Sequence, residues 1–199
     1  MSNTSATGGF LNQTEEALPG GLTLDQFIQQ TIVNLTGMVG STVRPKFQKN
    51  MPKVPAEVED NWCAFTVTPI GADANPYQVT TPTGDGSTLQ RHEELSIACS
   101  FYGPQGRNNA RNLRDGFHIA QNRDVLTTAK MGFKEASDVT YLPELHGGVW
   151  FARADINIIL RRQVNKIFAV LSFEGAEGTI KGQKDNNEIE TIPWNVSTP

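Results

Sequence analysis

The sequence predicts a mixed fold of helices and strands, and three stretches carry that prediction. "TLDQFIQQTIVNL" repeats its apolar residues at helical spacing, while "HEELSIACSFY" and "GVWFARADINIILRRQV" alternate apolar and polar residues as strands do. The two periods differ because side chains line one stripe of a helix but one face of a strand.

Residues 1 to 20 are polar and small, with Phe10, Leu11 and Leu18 as scattered apolar points. They cannot form a core and read as an N-terminal arm. In the helix that follows, Thr23 is the expected N-cap, with Gln26 three residues on. Leu24, Phe27, Ile28, Thr31 and Leu35 fall on one stripe, and Gly37 ends the element. A proline-rich run from Pro45 to Pro55 leads into "WCAFTVTPI", where Cys63, Phe65 and Val67 alternate with Ala64, Thr66 and Thr68. "PYQVTT" is a second strand, and the turn "PTGDGST" precedes a third. There Leu95, Ile97, Cys99 and Phe101 share one face, with Ser96, Ala98 and Ser100 on the other.

"FYGPQGRNNARNLRDGF" then turns on two glycines and a proline. From Asn108 the residues Ala110, Leu113 and Phe117 recur at steps of three and four, which sets Arg107, Arg111 and Arg114 around the outside of a helix loosened at Gly116. "QNRDVLTTAKM" reads as a further helix, with Asn122 as its cap and Val125, Leu126 and Ala129 inward. "GFKEASDVTYLPEL" is extended. In the longest strand Trp150, Ala152, Ala154, Ile156, Ile158 and Leu160 form the expected core face. Phe151, Arg153, Asp155, Asn157, Ile159 and Arg161 form the other, and Phe151 and Ile159 among these polar neighbours point to burial against another subunit. After Lys166, two short β stretches flank "GQKDNN". The expected organisation is therefore an arm at 1–20, a domain at 21–166 and a β-hairpin appendage at 167–199. Trp194 is the expected anchor of that appendage on a neighbour.

Composition narrows the function. A chain of 199 residues with 38% hydrophobic and 19% charged residues can bury one core, and its 18 glycines and 11 prolines predict many turns. A net charge of −4 argues against coating nucleic acid by charge alone, which requires a basic surface to displace counterions. No apolar run is long enough to span a bilayer, and "MSNTSATGGF" lacks the basic and apolar regions of a signal peptide, so a cytoplasmic product is expected. Two cysteines, Cys63 and Cys99, are too few for a disulfide framework or a cysteine-rich zinc site and read as buried thiols.

Catalytic and binding chemistry finds little support. A phosphate-binding loop needs Gly-Lys-Ser/Thr at its end, and "GPQGRNNA" has neither the lysine nor the hydroxyl, so the stretch reads as a strand-to-helix corner. Glu93 and Glu94 are adjacent on a strand and point to opposite faces. His92, His118 and His146 lack metal-site spacing, and no Gly-x-Ser-x-Gly elbow occurs. Asp155 is the one carboxylate in mid-strand with a possible catalytic reading, but Arg153, Asn157 and Arg161 share its face, and a balanced polar surface is the plainer account. No catalytic, metal or cofactor residue is expected.

The stretches "LSIACSFYGPQGRNNARNLRDGF" and "LRDGFHIAQNRDVLTTAKMGFKEASDVTYLPELHGGVWFARADINIILRRQV" resemble the neck or tail-terminator proteins of tailed bacteriophages. The likeness runs from about residue 22 to residue 166, with "LRDGF", "EASD" and "RADINIILRRQV" as its most telling pieces. It implies an α+β fold, a mostly antiparallel sheet with helices packed on it. It also implies a homo-oligomeric ring, hexameric by family expectation, that ends the tail tube and joins it to head-completion proteins. The implied partners are those connectors, the tail tube, a sheath protein where the tail has one, and DNA that passes through the channel without sequence-specific contact. No membrane is involved, and the implied place is the virion neck, after assembly in the host cytoplasm. A head-completion stopper of the same neck, or a small nucleotide-binding domain or enzyme, are the alternative readings. The interaction candidates are Arg107, Arg111, Arg114, Phe151, Arg153, Asp155, Ile159, Arg161 and Trp194.

Overall fold

The computed structural model of the chain describes residues 3–4, 6–48, 58–80, 86–170, 175–183 and 189–197. In chain order the elements are β1 (Gln13–Glu15), α1 (Leu24–Thr36), β2 (Val43–Pro45), β3 (Trp62–Ala72), β4 (Tyr77–Thr80), β5 (Ser87–Tyr102), α2 (Gly106–Gly116), α3 (Ala120–Thr128), β6 (Met131–Ala136), β7 (Thr140–Tyr141), β8 (Glu144–His146), β9 (Val149–Phe151), β10 (Arg153–Phe168), β11 (Gly175–Gln183) and β12 (Ile189–Ser197). They divide into a larger unit, residues 16–76 and 91–164, and a smaller one drawn from 1–15, 77–90 and 165–199.

In the larger unit β2, β3, β5 and β10 are neighbours in that order, with β6 and β7 also paired to β10. β3 with β5, β6 with β10 and β7 with β10 run antiparallel, and only the short β2 runs parallel to β3. Helices cover one face. Phe27, Ile28 and Ile32 of α1, Ala110 and Leu113 of α2 and Leu126 of α3 meet Cys63, Phe65, Ile97, Cys99, Phe101, Ile156, Ile158 and Leu160 of the strands in one core. The expected α+β class with a mostly antiparallel sheet is what the chain adopts. Each fully buried Leu or Ile in that core contributes roughly 1.5–3 kcal/mol of hydrophobic stabilisation.

Helix α1 starts as its sequence predicts. The Gln26 amide donates to Thr23 Oγ1 at 3.3 Å while Gln26 Oε1 accepts from the Thr23 amide at 2.9 Å, which satisfies two end donors reciprocally. Gly37 closes it in the left-handed conformation (φ 73°) with its amide bonded to the Val33 carbonyl.

Four residues depart from expectation. Helix α3 begins two residues before Asn122, and Ile119 occupies the cap position. Asn122 instead donates from Nδ2 to the Gly116 carbonyl at 2.9 Å and so satisfies the end of α2 rather than the start of its own helix. Leu126 and Ala129 are buried as expected, but Val125 is 52% exposed because a nine-residue helix turns only one narrow face to the sheet. In the long strand a break at Ala152 separates β9 from β10, so Trp150 leaves the core face and stands 63% exposed. Further on, the register with β6 shifts between Ile159 and Leu160. The extra residue there is Lys134 of β6, so the alternation of Ala154, Ile156, Ile158 and Leu160 runs on unbroken; Ile159, on the other face of β10, is nonetheless buried within its own chain, not held out for another subunit.

In the smaller unit β1 pairs antiparallel with the end of β10, Gln13 opposite Phe168 and Glu15 opposite Lys166. β4 pairs with the first residues of β5, Tyr77 opposite Gln90. β11 and β12 form an antiparallel ribbon from Gly175 opposite Ser197 to Gln183 opposite Ile189. The centre of the expected "GQKDNN" turn lies outside the described residues, as does the side chain of Trp194, whose backbone stands opposite Gly178.

Candidate interaction surface

The strand-to-helix corner at 103–106 organises one end of the larger unit. Gly103 adopts φ +90°, and a Cβ there would sit 2.5 Å from the Asp60 carbonyl oxygen, so both conformation and space demand glycine. Its amide donates to the Ala152 carbonyl at 3.1 Å, and the Gln105 amide donates to Asn61 Oδ1 at 2.7 Å. Gly106 packs against the Phe101 carbonyl, and its amide bonds Gly103. Donors that a phosphate loop would present to a ligand are thus occupied by the chain itself, in keeping with a structural corner.

Beside the corner lies a depression of about 320 Å³ whose lining includes Pro104, Arg107, Asn108, Tyr141 and Arg153. Arg107 lies over the Tyr141 ring at 4.4 Å, a cation–π contact at an exposed site worth about 0.5–1 kcal/mol. Arg153 is engaged differently. Its Nε and Nη2 each donate to Asp155 at 2.8 Å, and its Nη1 donates to Glu144 at 3.1 Å. Asp155 raises the pKa of Arg153 further above its already high ordinary value, so this guanidinium is a fixed charge between two carboxylates. Asp155 therefore orients an arginine. Tyr102 stacks on Trp62 at 4.1 Å and 4° and faces both Arg153 and Glu144. Burial is the first cause that pushes its phenol above the usual value.

The expected interaction residues do not gather into one patch. Arg107 and Arg111 are exposed on α2, whereas Arg114 turns back to Asp115 at 3.0 Å and towards Asp138 at 3.9 Å. Arg161 reaches Asp73 at 3.4 Å, eight residues along β10 from Arg153, roughly 26 Å at strand rise. Asp73 also holds the His92 Nδ1 at 3.0 Å, and that hydrogen bond is the main cause that lowers the Asp73 carboxyl below its ordinary value. Phe151 is half-buried, and Ile159 is buried on the strand face opposite Ile158 and Leu160. His118 packs edge-on to Phe133 at 5.3 Å. Among the described residues, no three His, Cys, Asp or Glu side chains gather where one metal ion could bind.

Sequence reading missed Trp62, Tyr102, Tyr141 and Glu144, which come from four different strands; Tyr102 contacts both Trp62 and Glu144, and Tyr141 lies against Arg107. It also missed the β8–β9 hairpin. A signal for that hairpin was present, since Gly147-Gly148 between two apolar runs is a two-residue hairpin turn.

A family model described as phage neck terminator protein matches residues 23–184. The chain belongs to that family. The match opens on Thr23, the cap of α1, and runs past the end of β10 into the β11 region. As a neck terminator family member the chain has a structural role in the phage neck and tail, in association with other head and tail proteins. The corner, the Arg153 cluster and the α2 arginines of this neck terminator all lie inside the matched span, and Trp194 lies beyond it. No curated protein matches the chain.

Proposed function

We propose that this neck terminator assembles as a ring of six copies that ends the tail tube, joins it to the head-completion proteins and leaves a channel through which DNA passes. The family match over residues 23–184 carries this reading. The chemistry of the corner supports it. Helix-end amides are spent on Asn61 and Gly103, and Asp155 is committed to Arg153, which leaves a surface suited to packing rather than turnover. In this reading the chain catalyses no reaction and needs no cofactor. Exposed arginines on an overall acidic chain meet unlike surfaces of neighbours first and DNA only weakly, because a channel that lets DNA slide cannot hold many phosphates. The arm at 1–20 and the ribbon after Lys166 serve assembly.

Electron microscopy of particles produced without the protein tests the proposal. Filled heads and separate tails are expected, with joining restored when purified protein is added. Normally joined particles, or a purified chain that is monomeric in solution and single-copy in the assembled neck, would overturn it.

A further inference from the structure

We infer that Arg91 is a socket for a carboxylate brought by another head or tail protein, so that one ion pair is completed only across the joint. The inference rests on the reading of the chain as that joint, not on the number of copies in the ring.

The strand sets the side chain in place. In β5 the residues Arg91, Glu93, Leu95, Ile97 and Cys99 alternate onto one face, and from Leu95 onward that face is core. Arg91 stands where the core gives out and is half-buried. Its Nε is the one side-chain nitrogen or oxygen among the described residues that is buried without a hydrogen-bond partner. The terminal nitrogens have no partner among the described residues either, and they are not shut in, so they form the open end of the guanidinium.

A buried donor without an acceptor costs free energy, and other arginines of this chain show how that cost is ordinarily offset. Arg153 is held by Asp155 and Glu144, and Arg162 by Glu93. An ion pair at the open end of a cation whose other edge is already out of water is stronger than one between fully exposed groups.

The carboxylates placed at this end of the larger unit are already engaged. Glu93, two residues along the same face, accepts from Arg162 Nε at 3.2 Å and Nη2 at 3.0 Å. Glu94 points to the other face and holds Lys134 at 2.8 Å. Beside Arg162, the Gln163 amide donates to the Lys130 carbonyl at 2.9 Å, and the Lys130 ammonium holds Glu16 at 2.6 Å. Arg162 and Lys130 thus use up Glu93 and Glu16, and the cation left over is Arg91.

The acceptor that fits is a protein carboxylate rather than a DNA phosphate. The planar fork of a guanidinium matches a planar carboxylate. DNA would bring a row of phosphates past Glu93, Glu94 and Glu16 on a chain of net charge −4, without the basic surface that releases counterions. A single acidic side chain reaches one guanidinium and leaves those glutamates alone.

Nitrogen NMR of the isolated chain tests the socket. The Arg91 Nε–H, shielded from water, should give a slowly exchanging signal that Arg91→Met removes. Acetate added at constant ionic strength should shift that signal saturably, and inorganic phosphate should do so only at higher concentration. A signal that stays still, or that moves together with those of every other arginine, overturns the socket, and tighter capture of phosphate overturns the carboxylate. Urea unfolding should find Arg91→Met at least as stable as the wild type, because the change removes a donor without an acceptor. A loss as large as that of a core truncation would show the arginine satisfied within its own chain and overturn the inference. When added protein joins separate heads and tails, Arg91→Met should raise the concentration for half-joining about tenfold or more, with Arg91→Lys in between and the oligomeric state by light scattering unchanged. Joining at the wild-type concentration overturns the partner carboxylate, and a lost oligomeric state does so too by assigning the socket to a contact between copies. Wild-type protein that fails to join heads and tails overturns the joint itself, while the acetate titration still decides whether Arg91 takes a carboxylate.

Discussion

The carbonyl oxygen of Asp60 stands 2.5 Å from the point where a Cβ on Gly103 would lie. Through that contact the turn before β3 and the exit of β5 fix each other, and with them the start of α2. Gly103→Ala should cost about 2 kcal/mol or more, since it adds a backbone overlap to an unfavourable φ. Gly8→Ala, also at positive φ but with open space around its Cβ, should cost less. Urea unfolding of the two variants measures the difference, and equal costs would refute the close-approach argument.

The Asp73–His92 pair predicts a pH dependence. The folded carboxyl is held below its unfolded value of 3.8, chiefly by the His92 hydrogen bond, so the pair's stabilisation is fully present above that value. It is lost as pH falls through the lower folded value. Carbon NMR of Asp73 should titrate below 3.8 in the native protein. Asp73→Asn should flatten the acid limb of the stability curve there, and an unchanged limb would remove the pair from the account.

The two thiols should be silent in the native protein. Burial, then the hydrogen bond with Cys99, pushes the Cys63 thiol well above its ordinary 9.0, so neither access nor thiolate is available at neutral pH. A thiol reagent at pH 8 should find no reactive cysteine in the folded chain and two after denaturation. Rapid native labelling of either would contradict the packing of β3 on β5.

Removing residues 176–199 should separate folding from assembly. β11 and β12 pair only with each other among the described residues, and such a ribbon gains little alone. The truncated chain should keep the thermal transition of the larger unit and lose docking to the tail or to its neighbours. Outright unfolding would assign the ribbon to the core.

DNA contact should be weak and steep in salt. Arg107→Ala with Arg111→Ala should lower the salt slope by about 2 if both meet phosphates. Tight binding that selects one sequence at physiological salt would refute a channel that only passes DNA.

The sequence by itself determined whatever depends on near neighbours along the chain. Thr23 and Gln26 are three residues apart and cap α1 wherever it packs, and the alternation from Leu95 to Phe101 fixes a buried face without reference to a partner strand. The family resemblance was legible for the same reason, in runs such as "RADINIILRRQV". Only the tertiary structure decided what depends on distant residues. Ile159 is buried although it lies on the strand face opposite Ile158 and Leu160, and Trp150 is exposed where the strand breaks at Ala152, whose carbonyl accepts the Gly103 amide. Asn122 leaves its own cap for a carbonyl of the preceding helix. The cluster around Arg153 draws on β3, β5, β8 and β10, and side chains as distant in sequence as Tyr102 and Glu144, 42 residues apart, become neighbours only when those strands are brought together. Periodicity records which face a residue takes within its own element; which other element arrives on that face is set by packing, and packing is a property of the whole chain.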